Sequence, residues 1–298
     1  MKKRIGFLVY PLMIMGVCLL FLTGCKKEPA EVVVEDPTKF VTVQIPAGSF
    51  TMGSPASENG RLPNEIQHKV TLSAFSMSKY EITNIQYAAF LNAKLIGSNG
   101  KYSAGAYPNE PLIYASSGLY DWGLHYTGSK WEPVEGFGNN PVILVTWFGA
   151  TEYATYSGGR LPTEAEWEYA CRSGTTTAYN TGSCLGDLQA NYNWAYPGAS
   201  CMNTNSIYPG KTLPVGSYPA NAFGLYDMHG NVWEWCSDWY GPYPVTDQTN
   251  PTGPASGDGR IFRGGSWYGE SSLCRSALRD SGFPSNSFIL GFRIVVVP

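Results

Sequence analysis

Hydrophobic and polar positions along this 298-residue chain change period often, and heptad stretches are absent. Residues 41–53 alternate and then turn at Pro46-Ala47-Gly48, which predicts a strand entering a hairpin. His68 to Met77 alternates again, with Val70, Leu72 and Ala74 on one face, and predicts a strand. Thr83 is followed three residues on by Gln86, then by Tyr87, Phe90 and Leu91 at helical spacing. A hydroxyl cap with a side-chain amide reaching back to it predicts a short amphipathic helix. Thr146 predicts the cap of a second helix ending near Tyr156, before Gly158-Gly159. Thr163 and Glu166 predict a third, its first turn crowded with acids that the helix dipole favours. Residues 94–139 and 174–220 keep no period. Long unstructured spans are unusual, so short hairpins are expected inside the first. Ile294 to Val297 is an apolar strand expected to close a sheet near the first strand.

Composition adds that 34 glycines, 20 tyrosines and 9 tryptophans suit a loop-rich α+β fold with short elements and aromatic packing. A net charge of −3 and no basic run in the body argue against a nucleic-acid partner. The N-terminus reads as a targeting segment. Lys2, Lys3 and Arg4 precede an apolar run from Ile5 to Leu22, and Leu22-Thr23-Gly24-Cys25 follows. That ending resembles the bacterial lipobox, which implies loss of residues 1–24 and acylation of Cys25. Residues 25–40 would then be a lipidated tether and 41–298 one domain. The expected place is the cell envelope, outer membrane or surface rather than inner membrane, held by acyl chains and not by a spanning helix.

Of the 7 cysteines, Cys18 leaves with the signal and Cys25 takes the lipid. Cys184 and Cys201 flank a loop-like stretch and are the expected disulfide in an exported protein. Cys171 and Cys236 are expected as buried small hydrophobes. With His68, His125 and His229 as the histidines, no zinc spacing appears.

Several segments come in a recognisable order: Pro46-Ala47-Gly48-Ser49-Phe50, Lys79 to Asn84, Arg160 to Glu168, Asn221 to Trp239, Arg263 to Ser266 and Gly291 to Arg293. Together they resemble the formylglycine-generating-enzyme/sulfatase-modifying-factor family. The resemblance implies a C-type-lectin-like fold across residues 41–298. It also extends to the variable proteins of diversity-generating retroelements, which use the C-terminal stretch as a mutable ligand-binding surface.

The family's enzymes oxidise a sulfatase cysteine using copper held by two cysteines five residues apart. Here Gly269 occupies the first of those positions and Cys274 the second, with Ser266 and Trp233 at positions lining the enzymes' site. One thiolate is a poor Cu(I) anchor, so copper is not expected. The iron-dependent relatives need a His-x-x-x-His-x-Glu-like cluster in an added domain, which this chain lacks. Calcium is implied at Asp227 and Glu234 through side chains and at Gly230 and Val232 through carbonyls. A second calcium site would use Asn191 and the Tyr192 carbonyl, but Ser206-Ile207-Tyr208 stands where its acid is expected.

Between the framework pieces lie Trp267, Tyr268, Glu270, Ser271, Ser272, Leu273, Asp280, Ser281, Phe283, Ser285, Asn286, Phe288 and Ile289. Aromatics mixed with small polar residues give rigid contact area and adaptable hydrogen bonds. The expected function is therefore a non-catalytic, lipid-anchored binder of a protein or glycan ligand. The alternatives are a formylglycine-generating oxidoreductase and a structural part of an envelope assembly.

Overall fold

Residues 39–116, 118, 121–195, 201 and 208–296 are described by the computed structural model. The expected signal segment, Cys25 and most of the tether lie outside the described residues, as do Ser206 and Ile207.

Strands β1 (Thr42–Ile45), β2 (Gly48–Met52), β3 (His68–Leu72) and β4 (Phe75–Ser78) form where alternation is clearest. Their pairing corrects two expectations. β1 pairs with β4 and β2 with β3, so Pro46-Ala47 carries the chain between sheets instead of closing a hairpin. The single strand expected over 68–77 is two strands in two sheets, and Ala74 at the joint is exposed, off the Val70 face. The reason is burial. Ile45, Val70, Leu72, Phe75 and Met77 all reach one core, and a corner in each segment lets both wrap around it.

Helix α1 (Asn84–Ala93) starts at the expected capping box. Thr83 accepts from the Gln86 N–H, and Gln86 Oε1 accepts from the Thr83 N–H at 2.9 Å. It buries Tyr87, Phe90 and Leu91. The stretch without period holds the hairpin of β5 (Leu124–Tyr126) and β6 (Trp131–Pro133). Asn84 anchors that stretch by donating to the Trp122 and Phe137 carbonyls. Helices α2 (Trp147–Tyr156) and α3 (Glu164–Arg172) begin at Thr146 and Thr163 as the sequence predicts.

Strand β7 (Trp233–Trp239) runs through the middle of a second sheet. β8 (Gln248–Thr249) joins β3. β9 (Arg260–Arg263) pairs antiparallel with β7, β10 (Asp280–Gly282) with β9, and β11 (Leu290–Gly291) runs parallel to β7. β12 (Val295–Val296) pairs with β4 in the sheet that holds β1, as expected. One core gathers Tyr87, Phe90, Tyr153, Trp233, Trp235 and Phe292 under α1, α2 and β7. The other lies among β1–β4 and α3. This is a mixed α+β fold of short strands, few helices and long loops. Cys184 and Cys201 form the expected disulfide, with 5.8 Å between Cα atoms, and Cys171, Cys236 and Cys274 are free and buried.

Candidate functional site

β9 delivers the chain into Gly264-Gly265, where the site begins. Gly265 has φ +75°, and a Cβ there would stand 2.5 Å from Cys274 Sγ and 2.9 Å from the Leu273 carbonyl. Only glycine lets this turn lie flat on the cysteine. Ser266 follows with its Oγ fully buried and without a hydrogen-bond partner among the described residues. Trp267 is 5% exposed, and its Nε1 also lacks a partner. Its ring meets Trp122 and Tyr268 edge-on, each at 5.4 Å, and Tyr268 meets Phe288 at 6.5 Å. Tyr268 and Phe288 are exposed. These four rings make one aromatic shelf.

Below the shelf, a 3-10 turn (Ser271–Cys274) starts at Glu270. Glu270, Ser271 and Ser272 line a cavity of about 490 Å³ together with Glu58, Tyr179 and Arg275. Arg275 is held there by Glu58 and Glu65 at 2.7 Å each. Cys274 lies behind the turn, completely buried, its Sγ donating to the Glu270 carbonyl at 3.8 Å. Burial pushes the thiol up to about 12, so it is a neutral thiol at physiological pH. At Gly269, a Cβ would run into Leu273 Cδ1 at 2.9 Å. With one buried neutral thiol at the second position and a glycine at the first, the residues present do not fit copper.

The structure divides the remaining candidates. Trp267 and Ile289 are core residues with Trp233, and Leu273 is half-buried against them. Asp280 and Ser281 lie on β10 beside β9, and Phe283, Ser285 and Asn286 form the turn after it. Phe283 is 66% exposed, and the Pro284 carbonyl after it accepts from the Trp147 N–H at 2.9 Å. Trp122, Tyr179 and Arg275 belong to the site and escaped the sequence reading. They come from segments far along the chain, with no local signal.

The expected calcium residues gather around Arg293. Glu234 is bidentate to Arg293 at 2.7 Å and also accepts from Trp167 Nε1 at 2.7 Å. Asp227, at φ +56°, accepts from the Gly216 N–H at 2.6 Å. Glu81 was not anticipated here, although it sits within the Lys79–Asn84 segment. It accepts from Asn231 Nδ2 at 2.8 Å. Burial first, then Asp227 and Glu234, hold the Glu81 carboxyl well above its usual range. Burial pushes Asp227 up to about 6. Three buried carboxylates against one guanidinium leave an excess of negative charge that a hard cation would relieve. Asn191 bridges to Gly230, and its Oδ1 is buried without a hydrogen-bond partner among the described residues. Tyr192 is buried beside it, its hydroxyl donating to Leu185. Among the described residues no three acidic, histidine or cysteine side chains are placed to hold a metal ion together, and both Glu234 oxygens are committed to Arg293 and Trp167.

The model of the sulfatase-modifying factor enzyme 1-like domain matches residues 29–297. Among curated relatives, the formylglycine-generating enzyme of Streptomyces coelicolor is 36% identical, covering 84% of this chain and 87% of that one. The mouse (Mus musculus) formylglycine-generating enzyme is 34% identical, covering 84% and 73%. Among solved structures, PvdO from Pseudomonas aeruginosa matches with TM-score 0.64 and 28% identity, over 86% of this chain and 94% of that one. Variable protein 1 of Treponema denticola matches with TM-score 0.62 and 25% identity, over 87% and 95%.

Proposed function

Because the chain belongs to the sulfatase-modifying-factor family, we propose that it uses that scaffold for binding, as a non-catalytic lipoprotein anchored through Cys25. The ligand is a protein or glycan held on the aromatic shelf and the adjoining polar cavity. One observation carries this reading. Two buried polar groups, Ser266 Oγ and Trp267 Nε1, lack hydrogen-bond partners among the described residues, and exposed Tyr268 follows them in the chain. A buried polar group without a partner costs about 1–3 kcal/mol, a cost that a bound ligand offering hydrogen bonds would recover. Exposed rings next to Ser271, Ser272 and Glu270 provide contact area and adaptable hydrogen bonds.

A formylglycine-generating activity is the second reading, favoured by 36% identity with the Streptomyces enzyme. The Gly269 position and the neutral Cys274 thiol argue against it. The two readings separate in one assay. Detergent-solubilised mature protein is incubated with Cu(I), oxygen and a sulfatase-derived cysteine peptide, and the peptide mass is followed. The expected result is an unchanged peptide. Conversion that disappears in Cys274→Ala would overturn the binding reading. In parallel, glycan and envelope-protein arrays probed with wild type and with Tyr268→Ala should show signals that weaken at least about tenfold in the variant, a loss of ~1.4 kcal/mol.

Calcium enters as a structural ion at Asp227, Gly230, Val232 and Glu234, with Asn191 and Tyr192 beside them. It would hold the loops under the shelf. Added calcium is expected to raise the melting temperature of wild type and to leave Asp227→Asn unchanged. An equal rise in both would remove calcium from this site.

A further inference from the structure

A second cavity, of about 530 Å³, lies where the chain leaves β7 and folds back over the start of α3. Its volume falls within the range of small-molecule sites, about 300–1,000 Å³. Pro242, Pro244, Pro251 and Pro254 give it stiff apolar walls, and Trp239 lines one side. None of the aromatic-shelf residues contributes to it.

The polar groups in this cavity are unevenly satisfied. Glu164 is fully engaged: Arg279 binds it through Nε at 2.8 Å and Nη2 at 2.6 Å, and the Tyr243 hydroxyl donates to it at 2.9 Å. Arg279 spends its other Nη on the Gly241 carbonyl. Asp238 is different. It is 4% exposed, and its Oδ2 accepts from the Glu164 N–H at 3.1 Å and Ser237 Oγ at 2.9 Å. Its Oδ1 has no hydrogen-bond partner among the described residues.

The loop packs closely on the Asp238 side chain. Gly253 sits at φ +71°, and a Cβ there would stand 3.0 Å from Oδ1. His68 also lines the cavity. When its Nδ1 donates to the Ile66 carbonyl at 3.1 Å, its Nε2 is left as an acceptor. The nearby arginines are committed elsewhere. Arg160 pairs with Glu166, Arg279 with Glu164, and Arg260 stacks between Trp147 and Trp239 while donating to the Ser237 carbonyl. Burial, then Glu164, pushes the Asp238 carboxyl up to about 7.

The cavity therefore offers acceptors, an unpaired acid and apolar walls. We propose that it binds a small organic ammonium ion, whose N–H groups reach Asp238 Oδ1 while its hydrocarbon part packs against the prolines. A charge-assisted hydrogen bond to a buried carboxylate is the strong kind, and Asp238 makes no direct ion pair among the described residues, with Arg160 and Arg260 acting on it only at longer range.

The test uses the detergent-solubilised full chain and three probes of one shape: cyclohexylammonium, cyclohexanol and cyclohexanecarboxylate. Affinities come from calorimetry. The site is read from the indole resonance of Trp239 in protein labelled with nitrogen-15 tryptophan. Cyclohexylammonium is expected to bind at least about tenfold more tightly than cyclohexanol, a difference of ~1.4 kcal/mol. It should shift the Trp239 signal, and Asp238→Asn should erase the preference. Equal affinity for the ammonium and the alcohol, absence of saturable ammonium binding, or binding that leaves Trp239 unmoved would each overturn the proposal. If Asp238→Asn does not fold, the charge preference and the Trp239 shift in wild type decide it alone.

Discussion

His229 shows how one buried side chain ties the site to pH. Its Nδ1 donates to the Cys274 carbonyl at 2.7 Å, and its Nε2 accepts from the Asn180 N–H at 3.0 Å. That pattern requires a neutral ring, and burial lowers its pKa to about 4. A depressed histidine contributes stability that is fully present above its unfolded pKa of about 6.5 and is lost as pH falls towards 4. The contribution is on the order of 3 kcal/mol. Urea midpoints measured from pH 7 to pH 4 should fall, and His229→Gln should flatten that slope while lowering stability at pH 7. Gly265 is the second such position. Gly265→Ala meets both a left-handed φ and the Cys274 sulfur, and should cost more than about 2 kcal/mol. Adding Cys274→Ala should recover part of that loss, which thermal melts of the single and double variants can read.

At the scale of elements, the three helices start where hydroxyl caps occur, because a cap needs only residues three apart. Thr163→Ala removes the Oγ1 acceptor for the Glu166 N–H and leaves only the backbone half of the capping box, the Thr163 N–H donating to Glu166. The expected loss is about 1 kcal/mol in urea unfolding, with Thr163→Ser close to wild type. The strands were less legible. Alternation marked residues 41–53 and 68–77 as extended, yet period 2 says nothing of which partner a strand takes. The corners at Pro46-Ala47 and Ser73-Ala74 arise because consecutive strands join different sheets. The shelf has the same character. Trp267 and Phe283 look alike in sequence, but Trp267 is held in the core by Trp122 while Phe283 is turned out beside α2.

Across the whole molecule, buried arginines late in the chain pair with glutamates from earlier segments. Arg263 reaches Glu168, Arg275 reaches Glu58 and Glu65, Arg279 reaches Glu164, and Arg293 reaches Glu234. Removing one partner of such a pair strands a buried charge and typically costs about 3–5 kcal/mol. Arg293→Leu should do more harm than most, because Glu81, Asp227 and Glu234 would then lose their guanidinium together. Chemical denaturation should show a loss in that range, with added calcium offsetting part of it if the proposed ion binds there. The sequence by itself determined what depends on near neighbours and on ordered motifs: the helix starts, the Cys184–Cys201 bridge, the family, and Gly269 where a thiolate would be needed. Only the tertiary structure decided which strands share a sheet, that Glu81 joins Asp227 and Glu234, that Cys274 is sealed and neutral, and that buried Asp238 lines a cavity. Those facts rest on residues far apart in the chain, and their burial and charge exist only once the cores have closed around them.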